Sequence, residues 1–322
     1  MRALLEHIDA HVHCRDWNES YKATIKSVTE LARSQNVCAV FDMPNTNPPI
    51  VSRKLVEKRI ETAREEGCLN GYYLFMGITS DPEQIRGAVE VVKNNPIVVG
   101  IKMFAGKSVG DLAIIDECAQ MEVYRELAQA RYDGVLAVHC EKESLLQMDL
   151  WNPNNPQSWN LARPPEAEVE SVKDQIRFAG KSNFEGVLHI CHVSTPKTVQ
   201  VIREETELNI TCGVTPHHVT YATRDMTGSN GLMYKVNPPL RDYLTMTLLR
   251  DCLRQGKINW IETDHAPHTR REKLHPPYMS GIQSLMSYSS FLSDLMTDGF
   301  TRDQIFELTY KNIKKIFKRV TQ

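Results

Sequence analysis

Two histidines one residue apart, His11 and His13, stand in the stretch HIDAHVHCRD at residues 7–16. Alternation is the period of a β-strand, so Asp9, His11, His13 and Arg15 are expected on one strand face. Both imidazoles of such a pair can reach a single ion at about 2.0 Å. His139 and His192, each inside an apolar run, supply two further nitrogens. A lone histidine in an apolar strand is more often a hydrogen-bonded core residue than a ligand. Four at corresponding positions imply a metal site.

Lys102 lies inside VVGIKMFAG, residues 98–106. The commonest fate of such a lysine is to snorkel out to a carboxylate. Beside metal ions an ammonium is repelled, whereas the neutral amine can take up CO₂. The resulting carbamate has two oxygens able to bridge two metals. Asp264, in TDHAPH, has helix capping or loop hydrogen bonding as its ordinary role. At a strand end it is placed instead to touch a metal and take a proton from metal-bound water, whose pKa a divalent cation lowers from about 15.7 towards about 7. Two divalent ions with one carbamate, one aspartate and one hydroxide keep a net charge of about +1, which suits an anionic substrate.

Eight short apolar runs must position these residues: LLEHIDAHVH (4–13), VCAVFDM (37–43), GYYLFMGI (71–78), IVVGIKMF (97–104), GVLAVHC (134–140), GVLHICHV (186–193), LNITCGV (208–214) and INWIETD (258–264). The segments between them, such as ESYKATIKSVTELARSQ and VYRELAQARYD, carry apolar residues at helical spacing. Alternating strands and helices predict a parallel sheet covered by helices, and the number eight predicts closure into a (β/α)₈ TIM barrel of the α/β class. The C-terminal strand ends of a barrel meet at one mouth. His11, His13, Asn45, Lys102, His139, His192 and Asp264 would then be neighbours. No GxGxxG or P-loop stretch supports nucleotide binding in an open sheet. The stretch 150–168 reads as a long loop after the fifth strand, and TGSNGLMYKVNPPLRD as a similar excursion after the seventh. No linker divides the chain, so residues 1–322 are expected to form a single catalytic barrel domain.

Composition excludes other classes. The formal net charge is −2 with no basic block, which argues against nucleic acid. No stretch is apolar enough to span a bilayer and no charged leader precedes an apolar run, so a cytoplasmic protein acting on a small molecule is expected. The eight cysteines include no CxxC pair, and Cys38, Cys140, Cys191 and Cys212 lie in apolar runs. They read as buried reduced thiols rather than disulfides or metal-bound sulfur.

The motifs DAHVHCRD, DMPNTNPP, GIKMF, VHCE, CHVST, TPHH, VNPPLR and TDHAPHTRREK occur in this order over residues 9–273. Together they resemble the cyclic amidohydrolases of the amidohydrolase superfamily, most closely the dihydroorotase family. The resemblance implies that His11, His13 and Asp264 bind one zinc and that His139 and His192 bind a second. It further implies two Zn²⁺ per chain, bridged by carboxylated Lys102 and a hydroxide. Arg15, Asn45 and His268 would hold the substrate's α-carboxylate and Asn237 would contact the pyrimidine ring, roles that suit a guanidinium fork with added amide and imidazole donors. Asp264 would carry the proton in the reversible cyclisation of N-carbamoyl-L-aspartate to L-dihydroorotate.

Hydantoinases and allantoinases resemble the chain in fold and metal ligands, whereas Arg15, Asn45 and Asn237 match the dihydroorotase pattern. An inactive homologue serving as scaffold for a pathway enzyme is the alternative from another class. The intact set of Lys102, His139, His192 and Asp264 counts against it. Many relatives carry a small β-sandwich built from segments flanking the barrel; with eight residues ahead of Asp9, a barrel without that sandwich is expected. His217 and His218 in TPHH, as neighbours on a strand, would place at most one ring towards the axis and read as structural or as supports behind the ligand residues. The resemblance is compatible with a homodimer or an association with aspartate transcarbamoylase.

Overall fold

The computed structural model describes residues 6–108 and 110–320. Leu4 and Leu5, expected to begin the first strand, lie outside the described residues, as does Val109.

A strand stands in each of the eight apolar runs: β1 (His7–Val12), β2 (Val37–Asp42), β3 (Tyr72–Gly77), β4 (Val98–Ala105), β5 (Val135–Cys140), β6 (Val187–Ile190), β7 (Ile210–Val214) and β8 (Trp260–Ile261). Each pairs in parallel with the next in chain order. The seam between the last and first strands is held by a Val12–His265 bridge and by the His13 N–H, which donates to His265 O at 2.9 Å. Asp9 adds its carboxylate, which accepts from both the N–H and the hydroxyl of Thr263. The result is a TIM barrel. Strands covered on both faces must be apolar on both, and all eight residues of β4, Lys102 among them, are buried.

The crossovers are α1 (Ile25–Ser34), α2 (Arg53–Glu65), α3 (Pro82–Asn94), α4 (Glu117–Gln129), α5 (Ser158–Ala162), α6 (Pro165–Lys181), α7 (Pro196–Glu204) and α8 (Tyr243–Arg254). Thr24, Ser52, Asp81, Asp116, Thr195 and Asp242 cap their helices by accepting from first-turn N–H groups, and Pro82, Pro165 and Pro196 begin theirs. After β8 follow α9 (Arg270–Leu274), α10 (Tyr288–Thr297), α11 (Arg302–Phe306) and α12 (Asn312–Ile316).

Two apolar layers result. The helices pack on outward strand residues such as Val40, Leu74, Ile101 and Leu136. Inward residues of the barrel's lower half, including Phe41, Phe75, Ala137 and Trp260, pack on Ile313, Phe317 and Val320. The Phe317 ring sits 4.9 Å from Phe41, 6.0 Å from Phe75 and 5.9 Å from Trp260 between centroids, so the C-terminal segment plugs the foot of the barrel. Glu6 and Val320 line one hollow at that foot, together with Ile8 and Tyr310.

The stretch 150–168, expected as one long loop, is instead partly helical: it holds α5 and the first turn of α6. Trp159 and Ala162 of α5 pack against Met226, Val236 and Leu240. The excursions after β5 and β7 thus share a small core of their own, which is why they fold.

Candidate active site

The first strand departs from simple alternation. Ile8 is in register with Ala39 and Asp9 with Val40, but the register shifts before Val12 meets Asp42. This β-bulge moves one residue out of phase. His11 therefore faces Glu262 and Asp264 inside the mouth, while Asp9 turns the other way, to Thr263 and Tyr288. The expectation that Asp9, His11, His13 and Arg15 share a face is corrected on this point. The strand also ends at Val12, and Arg15 follows with φ 58°.

His11 Nε2 and His13 Nε2 approach the same Asp264 oxygen, at 3.3 and 2.9 Å. His13 Nδ1 lies 2.8 Å from Asn45 Oδ1, an acceptor, which leaves Nε2 as the nitrogen facing Asp264, where a cation held between the two would take its lone pair. Across the mouth His139 Nδ1 is 3.2 Å from His192 Nε2. The other nitrogen of His139 meets Glu141 at 3.0 Å, and Glu141 is paired with Arg163. His192 and Asp264 have φ of 36° and 46°. Such values in non-glycine residues gather where function holds strain in place.

Lys102 is wholly buried beneath these rings, and its Nζ donates to Cys191 Sγ at 2.9 Å. Arg15, also buried, donates from Nε to Pro267 O at 3.2 Å and lies with Nη2 3.1 Å from His268 Nε2. Asn237 accepts from Trp159 Nε1 at 3.1 Å and donates to Ser108 at 3.4 Å.

One pocket is lined by His11, His13, Arg15, Asn45, His139, His192, Asn237 and Asp264, with Phe104, Ser108, Val236, Ala266, Ser280 and Gly281. Lys102 lies below that lining. His268 touches it through Arg15 and lines the adjoining cavity with His217. His217 and His218 stand on a 3₁₀ turn rather than a strand: His217 Nδ1 is 2.7 Å from Ser284, and His218 Nε2 is 2.9 Å from Pro238 O. Because they stand on a turn, the alternation argument applied to them does not hold; both are buried, and His217 Nε2 has no hydrogen-bond partner.

Cys191, Glu262 and Glu141 were not singled out from the sequence. Glu262 accepts from the His192 N–H, from Trp260 and from His189. Each stands two residues from, or next to, a conspicuous histidine or aspartate, and strand alternation alone would have brought Glu141 and Glu262 towards the mouth.

The donor set fits a divalent cation. The ligand atoms of His11, His13 and Asp264 lie within 4.8 Å of one another, as do those of His11, Cys191 and His192. His11 Nδ1 and His192 Nδ1 are buried without a hydrogen-bond partner. Burial and Lys102 work to lower the pKa of His11, but Asp264, Cys191 and Glu262 outweigh them and push it up to about 10, while burial draws His13 down to about 4. Buried imidazoles gathered around a buried carboxylate mark a place where positive charge is favoured, as a divalent cation would supply.

A parallel eight-stranded barrel with this mouth defines a class, the metal-dependent amidohydrolases. No family model matches the chain. A dihydroorotase of Lactobacillus acidophilus is 29% identical over 305 residues, covering 94% of this chain and 69% of its own length. One of Pyrococcus horikoshii is 31% identical over 318 residues, covering 97% and 65%. Among solved structures, an L-hydantoinase of Arthrobacter aurescens superposes with TM-score 0.84 at 20% identity over 97% of this chain and 70% of that one. A dihydroorotase of Campylobacter jejuni gives 0.73 at 16%, over 97% and 83%. Dihydroorotases are thus the proteins that this chain is similar to over nearly its whole length. The chain spans about two thirds of the length of the curated relatives it matches. Among the described residues no helix is long and apolar enough to cross a membrane.

Proposed function

We propose that this chain interconverts N-carbamoyl-L-aspartate and L-dihydroorotate with two zinc ions bound, in the manner its relatives' name describes. The observation that carries the reading is the convergence of four imidazoles and Asp264 with the Arg15 guanidinium on one pocket. Imidazoles and a carboxylate suit a divalent metal. A buried cationic fork beside them suits a substrate that bears a carboxylate of its own, which hydantoin lacks.

In this reading His11, His13 and Asp264, with His139 and His192 across the mouth and a carboxylated Lys102 below, would hold the two ions. Bound ions would provide Lewis-acid polarisation of the ring carbonyl and acidify water to near neutral pH. The chain's own groups do the rest. Arg15 grips the α-carboxylate through its fork, with Asn45 beside it. Burial, with Arg15 next to it, holds His268 far below the usual imidazole value, so its Nε2 stays an acceptor for Arg15 and helps to orient that guanidinium. Asn237, fixed by Trp159, faces the ring. In hydrolysis Asp264 takes the proton of the attacking water and passes it to the leaving ring nitrogen; in cyclisation it takes the proton of the ureido nitrogen. His139 keeps its ring orientation through Glu141.

The deciding experiment compares steady-state turnover of L-dihydroorotate, hydantoin and allantoin by zinc-loaded enzyme with metal content measured in parallel. Turnover of dihydroorotate well above the others, at about two zinc ions per chain, is expected. Preference for hydantoin or allantoin would replace the substrate assignment. A protein that holds under one zinc and gains no activity from zinc and bicarbonate would replace the catalytic one.

A further inference from the structure

Cys14 to Trp17 leave β1 in a conformation that few sequences tolerate. Arg15, Asp16 and Trp17 have φ of 58°, 62° and 48° in succession, in the left-handed region that residues with a side chain rarely enter. Asp16, with ψ −173°, occupies a combination otherwise almost confined to glycine. Such a run persists only where its surroundings over-determine it.

They do so through one buried ion cluster. Asp42, at the end of β2, accepts from the Cys14 N–H at 2.9 Å. Arg59 on α2 donates to the other Asp42 oxygen from Nε and Nη2, at 3.0 and 2.7 Å, and its Nη1 is 3.4 Å from Asp16. Tyr72 donates to that same Asp42 oxygen at 2.7 Å. Asp16 accepts in turn from the Ile25 N–H at the head of α1, and the Asp16 N–H donates to Ala23 O at 3.0 Å. The Arg59 guanidinium lies 5.1 Å over the Trp17 ring. Arg59, Asp42 and Asp16 are all buried, and none of them lines the pocket. The residue they bracket on both sides is Arg15, which does.

We propose that the Arg59–Asp42–Asp16 cluster is a positioning device for Arg15 that sets affinity for the substrate's carboxylate. This rests on the reading that Arg15 receives that carboxylate. A guanidinium binds a carboxylate through two parallel hydrogen bonds only when its plane is aligned. A long side chain on an unanchored turn would spread over many rotamers. Fixing the backbone on either side of Arg15 removes that freedom before substrate arrives.

A double-mutant cycle on the metal-replete enzyme tests this, with Arg15→Lys, Arg59→Lys and the double variant assayed for dihydroorotate hydrolysis. Arg59→Lys keeps a charge but loses the fork that spans Asp42 and Asp16; it is expected to raise KM about tenfold, with kcat within about twofold and metal content unchanged. When lysine already stands at 15, the same change should add less than about twofold, because both act through one guanidinium. Independent, multiplying effects on KM overturn the positioning role, as does a fall in kcat with KM unchanged. An unaltered KM in Arg15→Lys overturns the carboxylate reading itself, and the proposal with it. Should Arg59→Lys fail to fold, Asp16→Gly relieves the strained backbone while deleting the anchor, and takes its place in the cycle with the same two outcomes.

Discussion

Lys102 Nζ meets a thiol, Cys191 Sγ at 2.9 Å, beneath the imidazoles of His11, His139 and His192 and with no carboxylate paired to it among the described residues, an unusual place to leave an amine unless it is modified. Lys102→Ala is expected to cut kcat more than about a hundredfold and to lower zinc content, with partial recovery on adding acetate or propionate. Full activity without supplement would remove the lysine from the site. His7 belongs at this scale too. Its Nδ1–H donates to Thr309, and burial lowers its pKa to about 4 from an unfolded value near 6.5. The unfolded chain therefore takes up the proton first, so this contribution is present above pH 6.5 and is lost as pH falls from 6.5 towards 4, by at most about 3 kcal/mol. Urea denaturation at pH 8 and pH 5 should show the loss, and His7→Gln should flatten the difference. The conspicuous histidines, Lys102 and Asp264 were legible by residue type alone, because such groups are costly inside an apolar strand. Cys191 and Glu262 were not, since a thiol looks apolar in composition and a glutamate two residues before Asp264 reads as part of the same strand end.

At the scale of the element, the eight runs were legible because strands covered on both faces must be apolar throughout. The bulge in β1 was not. It is one extra backbone step with no marking residue type, and it reverses where Asp9 points. Turned this way, the Asp9 carboxylate takes the N–H and hydroxyl of Thr263 and the His11 N–H, closing the ring of strands at its seam. Burial raises the Asp9 carboxyl to about 7 against those donors. Asp9→Ala would leave buried donors unpaired at a cost of about 1–3 kcal/mol each. Denaturation should show a loss of several such increments, and Asp9→Asn, which retains one acceptor oxygen, about half of it. Equal stability of the alanine variant would mean the seam closes without Asp9.

At the scale of the whole molecule, the mouth carries chemistry and the foot carries stability. Phe317, packed on Phe41, Phe75 and Trp260, seals the foot. Phe317→Ala should cost about 3–5 kcal/mol in denaturation while leaving KM for dihydroorotate unchanged; an altered KM would show that the two ends of the barrel are coupled. The sequence placed this segment after the last strand without indicating that it turns under the barrel, because its apolar residues contact partners far away in the chain.

The hollow shared by Glu6 and Val320 puts both ends of the described chain on the side opposite the catalytic mouth. A tether attached at either end, whether a purification handle, a surface linker or a fused enzyme, would hang from the floor of the barrel, and substrate would still find its entrance unobstructed.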